Sequence, residues 1–160
     1  MDIRRAFVTT PQREKLGNAM IDSFNPPNVW APFGAFSLGV VQGKGQIVHL
    51  KGQVALDPEG QVVGRQDMNA QVRQVLQNIE RVLDHVGGTT GDIISLTQFV
   101  TDIEAFMAAG EVRRQFFQPP FPVTTTVEVS RLYDAALMVE ITAVAEIPLE
   151  RFRHPAAATA

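Results

Sequence analysis

The sequence has no cysteine and only one tryptophan and one tyrosine. The missing thiols exclude disulfides, thiolate nucleophiles and cysteine-ligated zinc, and they leave the redox compartment open. Long apolar runs are missing too. No stretch approaches the roughly 20 apolar residues of a membrane-spanning helix, and MDIRRAFVTT lacks the apolar core of a secretory signal, so the expectation is a cytoplasmic protein with no membrane partner. Clustered basic charge is a third absence. Fourteen Lys and Arg stand against 17 Asp and Glu, a formal net charge of −3. Arg4-Arg5 and Arg113-Arg114 are isolated pairs of the kind that face solvent. Binding a phosphate backbone needs a basic stripe, so no nucleic-acid partner is expected. His49, His85 and His154 are scattered without paired spacing, which gives no metal site.

What is present suits one domain. A chain of 160 residues can bury a real core. The expected division is a single domain over 1–150, with an extended N-terminal segment over 1–35, and a flexible tail over 151–160. A short strand is expected over 3–9 and a helix over 11–24, broken by Asn25-Pro26-Pro27-Asn28. Phe36–Gln42 and Gln46–Gln53 read as two strands joined by Gly43-Lys44-Gly45, a hairpin signal, and Asp57-Pro58-Glu59-Gly60 as a turn. The clearest helix covers 68–86. Its apolar residues Met68, Val72, Val75, Leu76, Ile79, Val82, Leu83 and Val86 recur at spacings of three and four, with Asp67 as N-cap and Gly87-Gly88 as stop. A strand follows over 93–100, then a helix from Ile103 that must end before Pro119-Pro120.

The segment Phe121–Ala145, FPVTTTVEVSRLYDAALMVEITAVA, holds two strand patterns about a short turn. Thr124, Thr126 and Glu128 alternate with aliphatic and threonine neighbours, as do Met138, Glu140 and Thr142. Such alternation puts a polar row on one sheet face, either a site wall or the wet side of a half-buried sheet. The order β-β-α-β-α-β-β predicts an α+β fold, a mixed β-sheet with two helices packed on one face. Its other face needs cover, which oligomerisation supplies.

Gly34-Ala35-Phe36-Ser37, Lys51-Gly52-Gln53, Asp57-Pro58-Glu59-Gly60, Gln71, Asn78, Gly91-Asp92-Ile93, Phe116-Phe117, Phe121-Pro122 and Val127-Glu128-Val129 together resemble the Rid (YjgF-type) reactive-intermediate deaminases, from Phe36 to Ala145. The resemblance implies a chorismate-mutase-like subunit, a homotrimer with ligand clefts between subunits, and hydrolysis of imines or enamines without metal or organic cofactor. An imine carbon is already electrophilic, so such a protein has to hold the substrate, orient a water and manage protons. Glu140 matches the family's acid/base glutamate. Phe36 stands where tyrosine is frequent, Gly110 where asparagine is, and Lys51 where a small polar residue is. Thr124 stands at the position of the family's carboxylate-binding arginine, so the chain resembles a divergent member. A threonine hydroxyl does not replace a guanidinium fork, whose charge-assisted hydrogen bonds are worth roughly 1.5–3 kcal/mol each.

The candidate site is therefore Glu140 as catalyst, with Phe36, Lys51, Thr124, Thr126 and Gly110 toward the substrate. Lys51 reads as a substitute anion anchor or as a lysine reaching solvent from a strand end. Thr124 and Thr126 are equally good strand formers. Arg65 and Arg131 are further stand-ins for the arginine, with surface placement as the simpler reading. His49 alternates with Lys51, so the two are candidates for one face. Phe106, Phe116, Phe117 and Phe121 read as core, whereas Trp30 and Phe33 either cap a cleft or extend an interface. The expected function is hydrolysis of an imine, enamine or related reactive metabolite, with a small-molecule ligand as partner. The rivals are a non-catalytic trimeric module that binds a metabolite or protein, and a ribonuclease, which the acidic balance disfavours.

Overall fold

The computed structural model describes residues 21–155. Two short strands, β1 (Asp22–Phe24) and β2 (Gly39–Val41), pair antiparallel as a small separate sheet. The main sheet contains β3 (Gln46–Val54), β4 (Ile93–Val100), β5 (Val123–Glu128) and β6 (Val139–Ile147) in the order β3-β6-β4-β5. β6 runs antiparallel to both its neighbours, and β4 and β5 are parallel, so the sheet is mixed, as expected. Period-two alternation then divides it. Leu96, Val100, Val139, Ile141 and Ala143 are buried in the core with the helices, while Thr97, Phe99, Glu140 and Thr142 take the opposite face.

Helix α1 (Met68–His85) covers the core face. Asp67 caps it, its Oδ1 accepting from the Ala70 N–H at 3.0 Å, and Gly87 ends it at φ 82°. The stripe Met68, Val72, Val75, Leu76, Ile79 and Leu83 is buried as its spacing requires; Val82 is not, being 41% exposed. One polar residue belongs to that buried face. Gln71, fully buried, donates from Nε2 to the Ala136 and Gly64 carbonyls at 2.7 and 3.1 Å and accepts the Met138 N–H at 2.8 Å. It thereby fastens α1 to the segment that leads into β6.

Four expectations need correction. The helix expected over 11–24 lies outside the described residues up to residue 20, and its described end, Asp22–Phe24, is a strand; the strand expected over 3–9 lies wholly outside them. Gly43-Lys44-Gly45 does not close a hairpin, because β2 pairs with β1 and not with β3. The buried Glu146 carboxylate takes those amides instead, accepting from Gly43 and Gly45 N–H at 2.7 Å each. β5 and β6 are not a hairpin either: β4 lies between them, so residues 129–138 cross the sheet end. The second helix is two pieces, α2 (Ile103–Ala108) and α3 (Gly110–Phe116), meeting at buried Ala109. After the core ends at β6, Arg151 pairs with Asp92 and Arg153 N–H bonds to the Val86 carbonyl at 2.9 Å.

Replacing Gln71 by Met keeps volume and helix propensity but leaves the Met138 N–H and Ala136 carbonyl without their partner. The expected cost is about 3 kcal/mol in denaturant-induced unfolding, whereas Gln77→Met, on a partly exposed position of the same helix, changes stability by less than about 0.5 kcal/mol.

Candidate functional site

A cleft of about 310 Å³ opens on the helix face beside the edge strand β5. Register explains its floor. Thr124 and Thr126 pair with Leu96 and Gln98 on β4, so all four share the helix face. Among the described residues no strand lies beyond β5, and the space there is bordered by α2, α3 and the loop before β2. Phe36, Thr124, Thr126 and Gly110, four of the six candidate residues, line this one cleft.

Its walls are aromatic. Trp30, Phe33 and Phe36 form a cluster with ring centroids 5.2 to 5.9 Å apart, the Phe33–Phe36 pair edge-to-face. Trp30 and Phe33 remain 57% and 72% exposed. Within a single chain they therefore rim the cleft. Phe106 and Phe117 are buried as expected, and they also face it from below. At the polar end, Gln98 is 4% exposed and its Nε2 donates to Thr126 Oγ1 at 2.9 Å. That bond uses the hydroxyl as acceptor, so the Thr126 O–H proton is left to serve as a donor.

The cleft holds a charge that its place in an isolated Arg-Arg pair had assigned to solvent. Arg113 is half-buried with its Cζ 4.1 Å above the Phe106 ring centre, and one guanidinium N–H goes to the Phe106 carbonyl. Burial, and secondarily the like charge of Arg114, hold its pKa below the ordinary value of a guanidinium; it remains a cation at neutral pH. Arg114, at the rim, pairs with Glu111 at 3.1 Å. No such pair neutralises Arg113 among the described residues. The signal was present in the sequence: Phe106, Gly110, Arg113 and Phe117 recur at helical spacing, which places an arginine on an apolar face. Gln98 was similarly legible, as a polar residue alternating with Leu96 and Val100.

Glu140 and Lys51 stand elsewhere. Glu140 pairs in register with Phe99 and lies on the sheet face away from the helices, lining a shallow hollow with Arg131 and Tyr133. Its carboxylate sits against Gly52, where a Cβ would come within 2.1 Å of Oε1; only glycine permits that approach. Lys51 is exposed in the bulge between Leu50 and Gln53, its Nζ donating to the Gly52 carbonyl at 3.2 Å. It borders a hollow with Asn78, Arg81 and Tyr133. The bulge also breaks the simple alternation from His49 to Lys51. Arg65 lines a separate hollow with Ala135 and Met138. The aromatic cleft, which no carboxylate lines, and the Glu140–Gly52 contact thus lie on opposite faces of the sheet. Among the described residues no group of three or more His, Asp or Glu converges as a metal site, and no helix is long and apolar enough to cross a membrane.

A mixed sheet with helices on one face and a cleft beside its edge strand defines a class of small α+β subunits. The solved Rid-family protein YyfB of Yersinia pestis superposes on this fold with a TM-score of 0.73 at 29% identity, over 80% of this chain and 99% of that one. RidA of an Antarctic Psychrobacter does so with a TM-score of 0.59 at 30% identity, over 73% and 92%. In sequence, the 2-iminobutanoate/2-iminopropanoate deaminase of Salmonella typhimurium is 34% identical over 121 residues, 74% of this chain and 91% of that protein. A RutC family protein of Pyrococcus horikoshii is 32% identical over 118 residues, again 74% and 91%. Residues 27–147 match the family described as Endoribonuclease L-PSP, and the chain belongs to that family, the Rid or YjgF-type proteins.

The two threonines differ in their neighbours, so they should differ in stability. Thr126→Val strands the buried Gln98 amide and is expected to cost about 1–2 kcal/mol in urea unfolding. Thr124→Val breaks no recorded bond and should stay within about 0.5 kcal/mol of the unaltered protein.

Proposed function

We propose that this chain hydrolyses an imine or enamine of a small metabolite, in a cleft completed by a neighbouring copy within a homotrimer. The observation that carries the reading is the separation of the two half-sites. Phe36, Gly110, Thr124 and Thr126 converge at the β5 edge, while Glu140 lies against Gly52 on the other sheet face, which no helix among the described residues covers, and Lys51 borders a hollow beside α1. Packing one chain's cleft against another's Glu140 face buries that sheet face and unites substrate pocket with acid/base group. The likeness to a protein named as a 2-imino acid deaminase supplies the reaction class.

The chemistry asks little of the protein. Water adds to the imine carbon as Glu140 takes one of its protons, and the carboxyl passes that proton to nitrogen, which completes a carbinolamine. The same carboxylate then takes the carbinolamine hydroxyl proton and delivers it to the amine, so that the C=O bond forms as the C–N bond breaks and a carbonyl compound and ammonia leave. Imine and water supply every atom of the products, and no electron is transferred. Phe36 packs on the substrate, and the Thr126 O–H donates to an oxygen of it. A ribonuclease reading fits poorly: the chain has net charge −3, and Arg114, one of two cations in the cleft, is already paired with Glu111. A second reading, a trimeric binding module without catalysis, is favoured by one fact: the cleft of a single chain contains no carboxylate.

Ammonia release from freshly generated 2-aminoacrylate and from a panel of 2-imino acids distinguishes the two. Turnover is expected, falling about 100-fold or more in Glu140→Gln, with a similar fall in Gly52→Ala as its new methyl displaces the carboxylate. Light scattering is expected to give three copies per particle. Release no faster than in Glu140→Gln, together with saturable binding of a keto acid, would reject the hydrolase and leave the binding module.

A further inference from the structure

We propose that Arg113 is this chain's substrate-carboxylate anchor, and that the substrate is a 2-imino acid with a bulky, flat, apolar side chain of the aryl type. The inference takes the cleft beside β5 as the place where substrate is held, and so rests on the function proposed above.

The charge argument comes first. Arg113 is a cation with one N–H committed to a backbone carbonyl and one face against the Phe106 ring. No carboxylate among the described residues neutralises it, whereas the adjacent Arg114 has Glu111. A half-buried, uncompensated guanidinium in a largely apolar cleft favours an anion strongly, because each hydrogen bond it donates there is charge-assisted and poorly screened. Access is open. The Nη2 of Arg113 lies 3.6 Å from where a Cβ of Gly110 would stand, so the absence of a side chain at Gly110 leaves that edge of the guanidinium uncovered. The Thr126 O–H, its oxygen already accepting from Gln98, adds a neutral donor at the same cleft. Guanidinium and hydroxyl together suit the two oxygens of a carboxylate.

Size and shape argue for the side chain. A volume of about 310 Å³ is that of roughly ten water molecules, well beyond a three-carbon imino acid. It falls at the lower end of the about 300–1,000 Å³ range of pockets that hold larger organic ligands. Trp30, Phe33 and Phe36, packed on one another as an aromatic cluster, line it together with Met107. Such a wall favours a flat apolar group through stacking and edge contacts.

Isothermal titration with three probes tests this: phenylpyruvate, pyruvate and the uncharged phenylacetamide. Phenylpyruvate is expected to bind at least about tenfold more tightly than pyruvate. Arg113→Gln is expected to weaken phenylpyruvate by about tenfold to a hundredfold. It should leave phenylacetamide within about twofold, which also shows that the cleft has stayed folded; Arg113→Lys should recover part of the loss. Pyruvate binding as tightly as phenylpyruvate would overturn the aryl class. Unchanged phenylpyruvate affinity in Arg113→Gln, or a loss appearing in Lys51→Ala instead, would overturn the anchor. Because binding is read apart from turnover, the two proposals fail separately. An Arg113-dependent phenylpyruvate site in a protein that releases no ammonia keeps the anchor and removes the hydrolase. Turnover that survives Arg113→Gln at unchanged phenylpyruvate affinity removes only the anchor.

Discussion

The constraint on which the rest depends is the lodging of β6 antiparallel between β3 and β4. A central strand has its backbone bonded on both sides, so its register leaves its side chains no choice of face. Val139, Ile141 and Ala143 become the core against which α1 packs, and Glu140 is consequently turned to the opposite face. The two ends of β6 are also its anchors. Gln71 of α1 holds Met138 just before the strand begins, and Glu146 near its end gathers the Gly43 and Gly45 amides. A fully buried carboxylate is costly without partners, and these two N–H groups are what makes it tolerable. The same bonds explain why the Gly-Lys-Gly segment does not form a local turn.

From that register follows the division of the functional residues. β5 joins the sheet parallel to β4, with Thr124 and Thr126 on the helix face. A single subunit cannot bring the threonines and Glu140 together across its own sheet. Among the described residues the Glu140 face of the sheet is left without a covering helix. The cleft is a hydrophobic recess lined by two guanidinium groups, of which only that of Arg114 has a carboxylate partner, and by the Thr126 hydroxyl. The contrast between Arg113 and Arg114 is instructive. Adjacent in sequence and identical in chemistry, one rests on an aromatic ring without a counter-ion and the other is a surface ion pair.

Elements with strong local signals were legible. Helix α1 carried an apolar stripe, an Asp cap and a glycine stop, and it formed within a residue of expectation. β4 was read correctly from its β-branched and aromatic content, and Asp57 organises its turn by accepting from the Glu59 and Gln61 N–H groups at 3.1 and 2.8 Å. Misreadings came where a distant partner overrode a local signal. The glycine-rich hairpin lost to Glu146, more than 100 residues away in sequence. The apparent hairpin of β5 and β6 lost to insertion of β4, which neither strand's pattern records. Arg113 was misjudged because its pairing with Arg114 resembled surface, although its spacing from Phe106 and Gly110 pointed inward.

The sequence by itself determined the fold class, the family, the long helix and the strands with clear alternation, and the identity of the candidate side chains, because periodicity, caps and turn residues act over a few positions. Only the tertiary structure decided which of those side chains meet. Strand order, the bulge at Lys51-Gly52 and the closeness of Gly52 to Glu140 are relations between segments far apart in the chain. They depend on what packs against what, and a pattern read along one strand carries no record of its neighbour.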